Sequence, residues 1–255
     1  MSESSMGALR TSRGALRGRR VLVIGAGGLG CPALLALADS GAELVIADDD
    51  TVELSNLHRQ ILFEDADVGR DKLDAVRDAL VRLGAPSESI VLVRSRFLPE
   101  NARELARSVD LVLEGADNFA TKFLAADACR LERRPIVHGA AVRFVATVWC
   151  VAPEGRPCYR CLFEDVPHGD AQPSCNEAGV LGPVVGFAGA LMADRALRVL
   201  TGGAPPYGVI ATYDGQRDAL REVPVPPRSA CALCGASPRI SEIDETRYTA
   251  PSCAA

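Results

Sequence analysis

Two groups of residues in this 255-residue chain have the types and spacing for chemistry. The first is a pair of Cys-x-x-Cys motifs, Cys158/Cys161 and Cys231/Cys234. Four thiolates make a complete tetrahedral set for Zn²⁺ and leave no open position for catalysis. One such pair alone would fit a redox dithiol equally well, but two pairs far apart in the chain favour a metal clip tying a late loop to the C-terminal part. The second group begins at Gly25-Ala-Gly-Gly-Leu-Gly30. Gly25, Gly27, Gly28 and Gly30 would let the backbone approach a phosphate and present amides from a helix start. Asp48 follows the next apolar run, the usual place for a carboxylate that accepts from ribose hydroxyls.

Those features alone fit a dinucleotide, ATP, or simply a tight strand-to-helix turn. The loop beyond Asp48 adds Asn56, Arg59 and Gln60, and Lys72 opens the next helical stretch. A dinucleotide diphosphate needs no two further cations there. A triphosphate carries more charge, and Arg and Lys suit it as bidentate and point-charge partners. The bland alternative is a solvated surface loop. No Gly-x-x-x-x-Gly-Lys-Ser/Thr string is present, so the chain is not an ordinary phosphate-loop NTPase.

The elements that must position these residues alternate between short apolar runs and helical spacing. Residues 21–24, 44–47, 90–93, 111–113 and 135–137 read as strands. Residues 32–39, 71–83, 101–107 and 118–131 read as helices between them. That alternation predicts an α/β, doubly wound, Rossmann-like and mostly parallel sheet. Later come a longer strand over 142–151, a helix over 182–200 with Gly186, Ala188, Gly189 and Ala190 on a close-packing surface, and a final antiparallel pair at 209–213 and 220–223. The organisation expected is a mobile N-terminal segment (1–18), a nucleotide-binding half (19–151), a part with crossover loop, long helix, last strands and zinc clip (152–235), and a loose tail (236–255).

A net charge of −5 provides no overall basic field for nucleic acid. No apolar run is long enough to span a bilayer, and residues 1–20 lack the apolar core of a secretory leader. Nine cysteines then read as reduced thiols, which predicts a cytoplasmic protein. Cys31, Cys129 and Cys150 lie among apolar or small residues and read as core, while Cys253 lies in the tail. His58, His138 and His168 stand in unrelated settings and read as structural or solvent-facing. Cys175 precedes a long helix, whose dipole favours a thiolate near its start.

Together these strings resemble the ThiF/MoeB/HesA group, relatives of the ubiquitin-activating enzymes. The resemblance rests on Gly25 to Cys31, Asp48 to Gln60, Val68-Gly-Arg-Asp-Lys72, Asp117-Asn118, Gly139-Ala-Ala-Val-Arg143, Pro157-Cys-Tyr-Arg-Cys161, Cys175 to Pro183 and Cys231-Ala-Leu-Cys234. They run in family order over roughly residues 19–235. The resemblance implies that Asp48 holds the ribose and that Asn56, Arg59, Gln60 and Lys72 surround the phosphates. It implies that Asp117, beside Asn118, binds Mg²⁺; on residue type alone, Asp117 could equally cap the following helix. It implies a homodimer that uses ATP to adenylate the Gly-Gly terminus of a small ubiquitin-like sulfur-carrier protein, with sulfur from a separate donor protein. Cys175 is implied either as a covalent acceptor of the carrier or as a loop cysteine without chemistry.

Adenylation of a peptide, a small molecule or a tRNA base by the same fold is an alternative. An NAD-dependent oxidoreductase and a non-catalytic zinc-stabilised module are others. The sequence departs from the group at its N-terminus. No Arg-Tyr-x-Arg-Gln-like string precedes the first strand, and Arg10, Arg13 and Arg17 are the arginines that could stand in for the one reaching a partner's triphosphate.

Overall fold

A computed structural model describes residues 13–166, 179–203 and 205–248. The first strand, β1 (Arg20–Ile24), is four-fifths buried and feeds through the Gly-rich turn into helix α1 (Gly30–Leu37). Then follow β2 (Glu43–Ala47), α2 (Lys72–Arg82), β3 (Ile90–Val93), α3 (Pro99–Arg107), β4 (Leu111–Glu114), α4 (Phe119–Leu131) and β5 (Ile136–Val142). The later elements are β6 (Val145–Val151), the single turn α5 (Tyr159–Leu162), α6 (Gly182–Leu200), β7 (Val209–Asp214) and β8 (Ala219–Pro224). One sheet takes the order β3-β2-β1-β4-β5-β6-β7-β8. Its first four neighbour pairs are parallel and its last three antiparallel. Strand order therefore reverses between β1 and β4, where ligands bind in open α/β sheets.

Each face of the sheet is covered, as its apolar strands require. One core joins Val21, Val23, Leu44 and Ile46 to Leu34 of α1, Leu73, Val76 and Leu80 of α2, and Val184, Ala188 and Met192 of α6. The other joins Leu22, Val45 and Val112 to Ala102 and Ala106 of α3, and Phe123 to Cys129 of α4. On α6, Gly189 is the residue that close packing demands, because a Cβ there would overlap Pro32 and the Leu29 carbonyl. Ala188 is buried beside it, while Ala190 faces outward and Gly186 has open space around its Cα.

Three expectations change. The run over 142–151 is split: Val142 ends β5, and the chain reverses at Arg143, whose φ of 55° closes the hairpin into β6. Segment 13–18 is packed, with Leu16 fully buried and bonded through its N–H to the Ser40 carbonyl at 2.8 Å. Arg13 and Arg17 sit with it near Gly41, before β2, at the opposite end of that strand from Asp48. Arg10 lies outside the described residues.

The third change concerns residues 236–248, which are strapped down. Ile240 and Tyr248 are buried, and the Tyr248 hydroxyl donates to Asp127 Oδ2 at 2.8 Å. Asp127 lies fully buried on α4 and also accepts from Arg160 Nε (2.9 Å) and Nη2 (2.9 Å). Burial pushes the Asp127 carboxyl above its usual range, against the pull of Arg160. A phenol donating to such a carboxylate is worth more than a neutral hydrogen bond. Tyr248→Phe is therefore expected to lower unfolding free energy by about 1.5–3 kcal/mol, read by urea titration; an unchanged midpoint would show the strap to be unanchored.

Candidate functional site

At the switch point the backbone of three loops meets almost without side chains between them. Gly25 has φ 88°, and its N–H donates to the Ala47 carbonyl at 2.9 Å. A Cβ at Gly30 would fall inside the Gly25 carbonyl oxygen, so only glycine allows this turn. A Cβ at Gly115, just after β4, would lie 3.1 Å from Leu29 Cβ and 3.6 Å from Gly30 N. The loop carrying Asp117 thus rests directly on the Gly-rich turn. Helix α1 starts without a side-chain cap and without an acidic residue in its first turn. Cys31 N–H already donates to the Gly27 carbonyl at 2.9 Å and Pro32 has no N–H, so an anion here would meet the amides of the Gly-rich turn up to Gly30.

Asp48 locks this turn to β2. Its Oδ2 accepts from Ala26 N–H at 2.7 Å and its Oδ1 from Asp50 N–H at 2.9 Å. Each oxygen keeps a second lone pair for a sugar hydroxyl.

The loop after β2 folds back over the Gly-rich turn. Asn56 closes a 3-10 turn, and its carbonyl accepts from the N–H groups of Arg59 (3.1 Å) and Gln60 (3.0 Å). A Cβ at Gly28 would be 3.3 Å from Arg59 Cδ and 2.9 Å from Val185 Cγ1. A Cβ at Gly27 would be 3.7 Å from Gln60 Nε2. Gln60 is 4% exposed, and its Oε1 has no partner among the described residues. Lys72, 5% exposed, opens α2 behind the N-cap Asp71, and its Nζ pairs with Asp50 Oδ2 at 2.8 Å. Asn56 itself donates to Glu53 Oε2 at 3.1 Å.

Asp117 is exposed at the C-terminal end of β4. The cap of α4 is Asn118, whose Oδ1 accepts from Thr121 N–H at 2.8 Å. This settles the alternative left open by residue type: the cap is Asn118, and the Asp117 carboxylate faces outward. Cys175 and His168 lie outside the described residues. His58 is exposed.

Sequence reasoning missed the support beneath Asp117. Glu114 is fully buried and accepts from Ala116 N–H (2.7 Å), from Lys122 Nζ (3.1 and 3.0 Å) and from His138 Nδ1 (3.0 Å). Burial works to raise the Glu114 pKa, but the Lys122 ammonium and His138 outweigh it and hold the carboxyl below the usual range. Burial pushes the His138 pKa down against the pull of Glu114, and the Glu114 carboxylate, which can only accept, takes its hydrogen bond from Nδ1. The available signal was a carboxylate closing the buried run Leu111-Val-Leu-Glu114, with a lysine on the next helix.

The four clip cysteines come together from the ends of two distant loops. Sγ–Sγ separations are 3.5 Å for Cys158–Cys231, 3.3 Å for Cys161–Cys234 and 4.0 Å for Cys158–Cys161. All four ligand atoms lie within 4.8 Å of one another. These spacings exceed an S–S bond and bracket the roughly 3.8 Å edge of a tetrahedron with Zn–S of about 2.3 Å. The Arg228 N–H donates to Cys161 Sγ at 3.4 Å, the backbone support expected around a ligating thiolate. Cys31 and Cys129 are fully buried and Cys150 nearly so; burial pushes the Cys31 and Cys150 thiols up to about 12 and Cys129 higher, which makes all three inert core residues.

The model of the ThiF family matches residues 8–235. This chain belongs to the ThiF family. It is 39% identical over 244 residues to the SAMP-activating enzyme E1 of Haloferax volcanii, covering 95% of this chain and 89% of that protein. It is 40% identical over 235 residues to the sulfur carrier protein adenylyltransferase of Thermus thermophilus, covering 89% and 86%. Against the adenylyltransferase and sulfurtransferase MOCS3 of Aedes aegypti it is 37% identical, and spans 53% of that longer protein. The solved structure of E. coli MccB with ATP superposes with a TM-score of 0.74 at 21% identity, over 88% of this chain and 69% of that one, which shows a shared fold. Membership of the ThiF family displaces the dehydrogenase alternative.

Metal content tests the clip. One Zn²⁺ per chain is expected by elemental analysis, and Cys231→Ser should lose the metal and melt at lower temperature. Metal-free protein with an unchanged melt would remove zinc from the fold.

Proposed function

We propose that this ThiF-family chain is an ATP-dependent adenylyltransferase for the C-terminal carboxylate of a small ubiquitin-like sulfur-carrier protein ending in Gly-Gly. The observation carrying it is the convergence of three loops at the β1/β4 switch point. There the Gly-rich amides, Asp48, Arg59, Gln60 and the Asp117 loop converge. Two relatives matched over most of their length, one named a SAMP-activating enzyme E1 and the other a sulfur carrier protein adenylyltransferase, support the choice of substrate.

In this reading Asp48 accepts from the ribose. The Gly-rich turn, Asn56, Arg59, Gln60 and Lys72 hold the triphosphate, with Lys72 exchanging Asp50 for phosphate oxygens. Mg²⁺, when bound at Asp117, supplies further charge neutralisation on the phosphates. The carrier carboxylate attacks the α-phosphorus, the bond to the β-phosphate oxygen breaks, and pyrophosphate leaves. The attacking carboxylate is already ionised near neutral pH, so the site needs no general base. Both reactants are anions, and catalysis consists of holding them in line while their charge is neutralised.

Cys175 is the residue assigned to receive the carrier: its thiolate would attack the acyl carbonyl with AMP leaving, before sulfur arrives from a separate donor protein. The protein would act in the cytoplasm, where the clip thiols stay reduced. It would do so as a homodimer, for which exposed Val142, Phe144, Leu181 and Phe187 provide apolar surface.

ATP–pyrophosphate exchange that depends on carrier and Mg²⁺ tests the reading. Arg59→Ala and Asp117→Ala are each expected to lower it by roughly 10²-fold or more, the scale for losing one electrostatic stabiliser. Cys175→Ala should keep exchange near normal yet lose a thiol-sensitive adduct with the carrier. Full exchange in both Arg59→Ala and Asp117→Ala would refute the adenylation site.

A further inference from the structure

Lys122 is buried on α4 and ties that helix to β4 and β5. Its Nζ has three protons and three acceptors: Glu114 Oε1 at 3.1 Å, Glu114 Oε2 at 3.0 Å and the Gly139 carbonyl at 2.6 Å. Glu114 is the last residue of β4, paired with His138 of β5. Beyond that pair β5 continues without β4 beside it, and Lys122 takes the first carbonyl there. On its other side Glu114 Oε1 holds Ala116 N–H at 2.7 Å, which closes a tight turn and delivers Asp117 as the next residue.

With its donors saturated, Lys122 is not placed to touch a ligand. Its effect runs through Glu114. A fully buried carboxylate that lost this partner would be an uncompensated charge, and would take up a proton or swing away. Swinging away releases the Ala116 turn, and protonation weakens it by removing the charge that its N–H meets. Residues that orient a metal ligand commonly alter metal affinity about 10–100-fold when removed.

We propose that Lys122 is a positioning residue, acting through Glu114, that sets how strongly the Asp117 loop binds a divalent cation together with ATP. The inference rests on the reading of Asp117 as the cation ligand. Isothermal titration of ATP, with Mg²⁺ and with EDTA, measures it without turnover. Asp117→Asn is expected to abolish the gain in ATP affinity that Mg²⁺ confers. Lys122→Met and Glu114→Gln are expected to cut that gain about tenfold or more, leaving affinity in EDTA within about twofold; Lys122→Arg should restore much of it. Should Lys122→Met fail to fold, Glu114→Gln decides. A full Mg²⁺ gain in Glu114→Gln and in folded Lys122→Met, with the gain lost in Asp117→Asn, would overturn the inference. A gain that survives in Asp117→Asn would instead discard Asp117 as the ligand, and this inference with it.

Discussion

The close approach of backbone to backbone around Gly25, Gly30 and Gly115 is the constraint on which the rest of the molecule depends. It brings the end of β1, the start of α1 and the loop after β4 into van der Waals contact. No side chain larger than hydrogen fits at Gly30, so the Gly-rich turn passes straight into an uncapped helix start. Asp48 then does two things with one carboxylate: it pins Ala26 of the turn to the end of β2 and keeps lone pairs for a nucleotide sugar. Around that centre, α6 supplies Val185 against Gly28, and its first residue Gly182 packs on the His58 carbonyl. The long helix of the second half is thus part of the wall of the first half's site.

Among the described residues two carboxylates outside the crevice are fully buried, each in a compensated set. Glu114 is satisfied by Lys122, His138 and a backbone amide; Asp127 by Arg160 and Tyr248. Such pairs contribute little net stability over an apolar replacement, but removing one partner is costly. Their positions suggest what they secure. The Glu114 set stands under the loop of Asp117, and the Asp127 set ties α4 to the C-terminal strap and to Arg160 between two clip cysteines. The aromatic rings of His138 and Tyr159, 4.7 Å apart, put the two sets against each other.

The clip and the strap close the second half in the same region. Cys158 and Cys161 flank Tyr159 and Arg160, while Cys231 and Cys234 lead directly into the segment that ends at Tyr248. The four cysteines gather here with Leu233 and Ile240 into a small core of their own.

The sequence by itself determined the doubly wound sheet, the Gly-rich turn, Asp48 and the two Cys-x-x-Cys pairs. These are local signals: strand runs, glycine positions and ligand spacing are written within a few residues of one another, and their physics is settled by neighbours in the chain. The string Asp48 to Lys72 was legible for the same reason, as an unusual set of charges within one connection. Only the tertiary structure decided that Asn118 caps α4 while Asp117 faces outward, since either residue type can cap. Only it decided that Glu114, Lys122 and His138 form one cluster, because the three come from a strand end, a helix and a different strand that meet through β4–β5 pairing. The anchoring of residues 13–18 and 236–248 was hidden likewise: Leu16 and Tyr248 each rest on partners distant in sequence, and nothing in a short polar segment announces which of its few apolar residues will find a hole to fill.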